Sequence, residues 1–235
     1  MDGPADAVAV RLEALPDAAA AARRGAELIA TAAREAVAER GTCAIAVSGG
    51  TTPWRMFAAL GDLDVPWDDL GIWQVDERLA PRNHEDRGLT HLVASLPRSA
   101  RVHEMPVDGD ADGLDARAAT YAAGLPARFD LVHLGLGDDG HTASLVPGDP
   151  VLDVHDRDVA ITATYRGWRR MTLTFPALDR ARCVLFLVTG AEKAGPLGKL
   201  LARDPSIPAA RVRAGEQHAI VDRAAVGESP PMSAG

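Results

Sequence analysis

The stretch GLGDDGHTASL (residues 135–145) places three glycines, two aspartates and a histidine within seven positions, directly after the apolar run FDLVHL (129–134). A loop histidine beside carboxylates titrates near neutral pH and can serve as a general base or acid, which makes Asp138, Asp139 and His141 candidates for proton transfer. The same residues also suit a plain turn, with aspartate as turn former and histidine as capping donor. Gly135, Gly137 and Gly140 match the dinucleotide pattern Gly-x-Gly-x-x-Gly. That pattern needs a long helix after its third glycine. Here HTASLV has room for under two turns of helix before Pro147 and Gly148, so nicotinamide binding is set aside.

Three further loops carry charge or free backbone. In SGGTTP (48–53), Gly49 and Gly50 permit close backbone approach, Thr52 suits an N-cap and Pro53 a first helical turn. The N–H groups freed there favour a phosphate or another anion, although a well-capped strand-to-helix turn would read the same way. The segment lacks the Gly-Lys-Ser/Thr ending of a nucleotide P-loop. DERLAP (76–81) sends two acids and a guanidinium out together, as a phosphate chelator or as a local ion pair. Lys193, at the helix start in TGAEKAGPLGKLL (189–201), is unfavourable on dipole grounds unless an anion intervenes. Arg166, Arg169, Lys199 and Arg203 read as solvated. HEDRG (84–88) begins like His-Glu-x-x-His but ends in Gly88, and His84 and His91 have no evident third ligand, so no metal is expected. No Gly-x-Ser-x-Gly elbow is present.

These loops need a frame. Residues 17–40 repeat apolar side chains (Ala22, Leu28, Ile29, Ala32, Ala36, Val37) at three- and four-residue spacing, which predicts a helix that Gly41 stops. Buried strands are expected at CAIAV (43–47), GIWQV (71–75), FDLVHLGL (129–136), DVAIT (158–162), CVLFLV (183–188) and HAIVD (218–222), with helices near 53–60, 86–95, 112–123 and 191–202. The alternation predicts an α/β fold: a mostly parallel, Rossmann-like sheet with helices on both faces. A single domain over residues 8–226 is expected, with flexible ends at 1–7 and 227–235. Ligands of such sheets bind beyond the carboxyl ends of the strands, so these loops should meet.

Composition narrows the classes. The chain has 235 residues, 47% hydrophobic but only 4% aromatic, and a net charge of -8. Few rings and no basic stripe argue against nucleic acid. An acidic chain can still bind an anion locally, since screening acts over about 8 Å at physiological salt. Cys43 and Cys183 lie in apolar runs and read as buried thiols. No leader is visible and no apolar run approaches the length of a membrane span. A cytoplasmic protein without membrane attachment is expected.

Taken together, SGGTTP, DERLAP, GLGDDGHTASLVPG and RRMTLTFPALDRARCVLFLVTGAEKA, in this order, resemble the 6-phosphogluconolactonase family, from about residue 43 to about 222. DGHTASL distinguishes it from the related glucosamine-6-phosphate deaminases. The resemblance implies hydrolysis of 6-phosphogluconolactone without metal or organic cofactor. It implies His141 as catalytic base, Ser48, Gly49, Gly50 and Thr51 lining the substrate, and Arg78, Arg170 and Lys193 on the phosphate. Asp76 and Asp139 match acids at the site edge. The partner is then a small sugar-phosphate lactone, and a monomer is favoured. Two departures stand out. Arg87-Gly88 replaces the usual Ser-Asn after Asp86, which leaves Arg87 as an alternative ligand contact, and Val146 replaces a Phe. Two rivals remain: a deaminase using Asp76 as proton carrier, and a sugar-phosphate sensor without turnover.

Overall fold

The computed structural model describes residues 9–109 and 111–228. Of the flexible ends expected at 1–7 and 227–235, all but Gly227 and Glu228 lie outside the described residues. Along the chain run β1 (Val10–Leu15), α1 (Ala18–Arg40), β2 (Cys43–Val47), α2 (Thr51–Leu60), β3 (Leu70–Gln74), β4 (Asp76–Arg78), α3 (Gly88–Ser95) and β5 (Arg101–His103). Then follow α4 (Leu114–Ala123), β6 (Leu131–Leu134), β7 (Val159–Ile161), β8 (Arg170–Leu173), α5 (Phe175–Asp179), β9 (Cys183–Val188), α6 (Ala194–Leu201) and β10 (Glu216–Asp222). Seven strands form a parallel sheet in the order β1-β10-β9-β6-β2-β3-β5. β4, β8 and β7 form a separate antiparallel sheet.

The central strands are apolar on both faces because both faces are covered. Ile45, Val47, Leu131 and Leu185 pack toward α1 and α2. Ala46, Val132, Leu134 and Phe186 pack with residues of α4, α6 and the antiparallel sheet. α1 begins at Asp17, whose side chain accepts from the Ala20 N–H at 2.8 Å, and ends at Gly41 with φ 77°. Its buried stripe is mostly alanine, and Gly25 lets it press on α2: a Cβ there would lie 2.8 Å from the Met56 sulfur.

The chain leaves β2 for β3 and β5 on one side, then returns to β6 on the other. A crevice at the carboxyl ends of β2 and β6 follows from that reversal. The register Val47↔His133 and the Ser48 N–H bond to the His133 carbonyl (3.1 Å) start both loops at the same level.

One expectation is corrected. DVAIT belongs to the antiparallel sheet, as β7 paired with β8, and not to the parallel one. No crossover helix precedes it to bring the chain back parallel, and it pairs with the strand that follows. HTASLV forms no helix, in keeping with its short span before Pro147; Thr142 and Leu145 form an isolated bridge around a turn with Ala143 at φ 49°. β1, β4, β5, β8 and α5 carry no clear sequence signal, being short or, for β1, an edge strand with a weak apolar pattern.

Candidate active site

The loops after β2, β3, β6 and β9 surround a cleft of about 630 Å³, with β8 and the preceding turn closing one side. Ser48, Gly49, Gly50, Thr51, Asp76, Arg78, His141, Arg170 and Lys193 all line it. Asp139 stands behind His141.

The first wall is the start of α2. Gly50 is its N-cap at φ 132°, a conformation open to glycine, and no side chain caps the helix. The first-turn N–H groups therefore face the cleft without an internal partner. Thr52 is not the cap expected of it: the helix starts two residues earlier than that cap would set, and the Thr52 hydroxyl lies 2.7 Å from that of Thr189. Gly49 is required by packing, since a Cβ would come within 2.9 Å of the Trp54 ring. The buried Ser48 hydroxyl has no partner.

The second wall is the turn after β6. His141 Nδ1 lies 2.5 Å from Asp139 Oδ1, and the His141 backbone N–H donates to the same oxygen at 3.0 Å. The imidazole is thereby oriented with Nε2 as its free nitrogen. Tyr165 donates its hydroxyl to Asp139 Oδ2 at 2.9 Å. Burial alone would raise the Asp139 carboxyl, but the bonds from His141 and Tyr165 outweigh it and hold the group below its ordinary value. Gly140, at φ 84°, leaves space for Ile207, and Gly137 leaves space for the His141 ring.

The third wall comes from β4 and β8, whose register sets Arg78 opposite Arg170. The three residues of the DER motif do three different things. Asp76 accepts from the buried Ser144 hydroxyl at 2.5 Å. Glu77, buried, accepts from Gln74 Nε2 and from the N–H groups of Arg78, Gly88 and Leu89 at 2.7–2.9 Å. Arg78 faces the cleft and pairs with Asp86 at 3.0 Å. Burial pushes the Arg170 guanidinium below its ordinary value, its Nε has no partner, and its Nη1 reaches only Ser144 at 3.5 Å. An anion would relieve both this group and its guanidinium neighbour. Lys193 approaches from the turn at Gly190, whose N–H is held by the Asp222 carboxylate at 3.0 Å.

Several residues behave differently from expectation. Arg87 does not reach the ligand side. It is buried, bonds the Ala80 carbonyl and Asp108 at 2.9 Å each, and lies 3.8 Å from Glu77. Its turn is anchored by the Glu77 carboxylate, which directs the side chain inward. Arg166 is exposed but lines the cleft and bonds Asp138 at 3.0 Å. Arg203 is not solvated; it bonds the Val212 carbonyl and Gln217. Cys43 is buried, whereas Cys183 is only partly so, and burial pushes both thiols up, to about 12 and about 11. Neither Ser144 nor Tyr165 was given a site role from the sequence; Ser144 entered only through its place in DGHTASL.

Among the described residues Asp138, Asp139 and His141 present ligand-type atoms within 4.8 Å of one another. Asp139 Oδ1 and His141 Nδ1 are spent on each other. His91 is engaged by the Glu85 carbonyl at 2.8 Å, and His84 packs on Trp168. No helix among the described residues is long and apolar enough to cross a membrane.

The fold is thus a parallel α/β sheet whose loops bring an imidazole–carboxylate pair and several cations to one cleft. The chain belongs to the family described as glucosamine-6-phosphate isomerases/6-phosphogluconolactonase, whose model matches residues 16–221. It is 39% identical to a 6-phosphogluconolactonase of Synechocystis sp. over 189 residues, 74% of this chain and 78% of that protein. The crystal structure of 6-phosphogluconolactonase from Thermotoga maritima, 26% identical, superposes with a TM-score of 0.81, covering 91% of this chain and 99% of that one. A monomeric glucosamine-6-phosphate deaminase shares the fold at 16% identity, with a TM-score of 0.80 over 94% of this chain and all of that one.

Proposed function

We propose that the chain hydrolyses the ring ester of 6-phosphogluconolactone to 6-phosphogluconate, a step of the oxidative pentose phosphate pathway. The observation that carries this reading is the His141–Asp139 pair at 2.5 Å in one cleft with Arg78, Arg170 and Lys193. The lactonase relatives support the reaction class.

In this mechanism neutral His141 takes a proton from water through Nε2 as the oxygen attacks the lactone carbonyl. Asp139 holds the opposite ring nitrogen and stabilises the imidazolium, as a carboxylate does in a triad. A backbone N–H donor to the developing oxyanion is worth roughly 3 kcal/mol in known cases; the N–H groups of Gly137, Gly140 and His141 are spent inside their own turn and do not supply it. His141 then returns the proton to the departing ring oxygen as the acyl C–O bond breaks. The phosphate, gripped by cationic side chains and the α2 N-terminus, supplies binding energy away from the reacting bond.

The test is acid release from lactone generated from glucose 6-phosphate, measured above the spontaneous rate. His141→Ala should lower kcat at least ~100-fold with modest change in KM. Wild-type turnover in that variant removes His141 from the mechanism. Ammonia from glucosamine 6-phosphate would indicate the deaminase instead, and binding without turnover would indicate a sensor.

A further inference from the structure

We propose that Tyr165 is a positioning residue for the His141–Asp139 pair, held in place by a tight turn that spans the cleft mouth. The inference rests on His141 acting as the base.

Tyr165 and Trp168 pair across a two-residue turn, with N–H to carbonyl bonds of 2.9 and 3.3 Å. Arg166 and Gly167 between them both have positive φ, 47° and 85°. That is the geometry of a type I′ hairpin, in which glycine is at ease and arginine is strained. The turn is fixed at both shoulders. Trp168 Nε1 donates to Asp86 Oδ2 at 3.0 Å, on the Arg78 side of the cleft. Tyr165 donates to Asp139 Oδ2 at 2.9 Å, on the His141 side. The Tyr165 ring stands edge-on to the imidazole at 5.5 Å, with the guanidinium carbons of Arg166 and Arg170 each 5.2 Å from its centroid. It is therefore packed where it cannot swing away without disturbing two cations.

Asp139 uses one oxygen for His141 and the other for Tyr165. The hydroxyl fixes the carboxylate plane, and with it the direction in which His141 Nε2 points. It also draws electron density from Asp139. Without it the carboxylate becomes a stronger base toward His141 Nδ1, which favours the imidazolium. The other groups around the imidazole are Asp138 on its own turn, Arg166 and Arg170 from the hairpin and β8, and Lys193 with Glu192 from the Gly190 turn. Tyr165→Phe changes none of these and keeps the ring.

In Tyr165→Phe, kcat should fall about tenfold, the size expected from one hydrogen bond to a charged group, with KM within about twofold. The acid limb of kcat/KM should move to higher pH, and the His141 imidazole, followed by NMR, should move in the same direction. In a His141→Ala background the added Tyr165→Phe change should have no further effect on the residual rate. A full second loss in the double variant, or an unmoved His141 titration, overturns the proposal. If His141→Ala alone hydrolyses lactone normally, the base assignment fails, while the NMR titration still decides whether Tyr165 governs the imidazole.

Discussion

Gly137 offers the sharpest test of how the site is built. A Cβ at this position would lie 2.1 Å from His141 Nδ1, 2.3 Å from Cε1 and 2.7 Å from Cγ. Ordinary contact begins near 3.4 Å, so in Gly137→Ala the imidazole must withdraw by more than about 1 Å. The backbone at Gly137 is not left-handed, so alanine is sterically allowed there and the ring is the part that gives way. A displacement of that size costs about 100-fold in rate, or about 2.7 kcal/mol of transition-state stabilisation. Because the cations and the α2 N-terminus are untouched, KM should change little. Initial rates of lactone hydrolysis with a thermal melt of the same preparation provide the assay. The expected result is a kcat about 100-fold lower with a Tm within a few degrees of wild type. A kcat within about threefold of wild type in a folded variant would refute the argument that this glycine exists to seat the imidazole. So would a collapsed Tm, which would mean that the backbone and not the ring had yielded.

Two further outcomes concern stability. Arg87→Met leaves the buried Glu77 without its cation, while the partly exposed Asp108 keeps Arg82, and should destabilise by about 3 kcal/mol in denaturant unfolding; a loss below about 1 kcal/mol would show that the four donors to Glu77 suffice. His133, fully buried against Phe57 with neither ring nitrogen partnered, is pushed down to about 3 by burial. Its folded value lies below its unfolded one, so only the unfolded chain takes a proton between pH 6.5 and 3, and stability falls as pH drops through that window. The slope from this group approaches about 1.4 kcal/mol per pH unit. His133→Leu should flatten the pH dependence of unfolding between pH 6.5 and 4, and an identical slope in both proteins would rule the group out.

Much of the frame was legible in order of residues alone. Gly41 ends α1 as read because capping chemistry is local, and the runs at 43–47 and 183–188 announce strands covered on both faces. The antiparallel sheet was not legible. Asp76–Arg78 is three charged residues that extend only because Arg170–Leu173 arrives to pair with them, a contact made across more than ninety positions of chain. Arg87 misled for a related reason: an arginine in a polar loop looks like a ligand contact until Glu77 and Asp108 are seen to bracket it.

The four loop motifs and their order, and with them the family and the residue types available for chemistry, were determined by sequence. Which side chains meet was decided only by the tertiary structure. A carboxylate has the same composition wherever it stands, and only the fold places Asp139 between His141 and Tyr165, or sets Arg78 beside Arg170. Distance and desolvation, which turn such groups into a site, are properties of the packed chain.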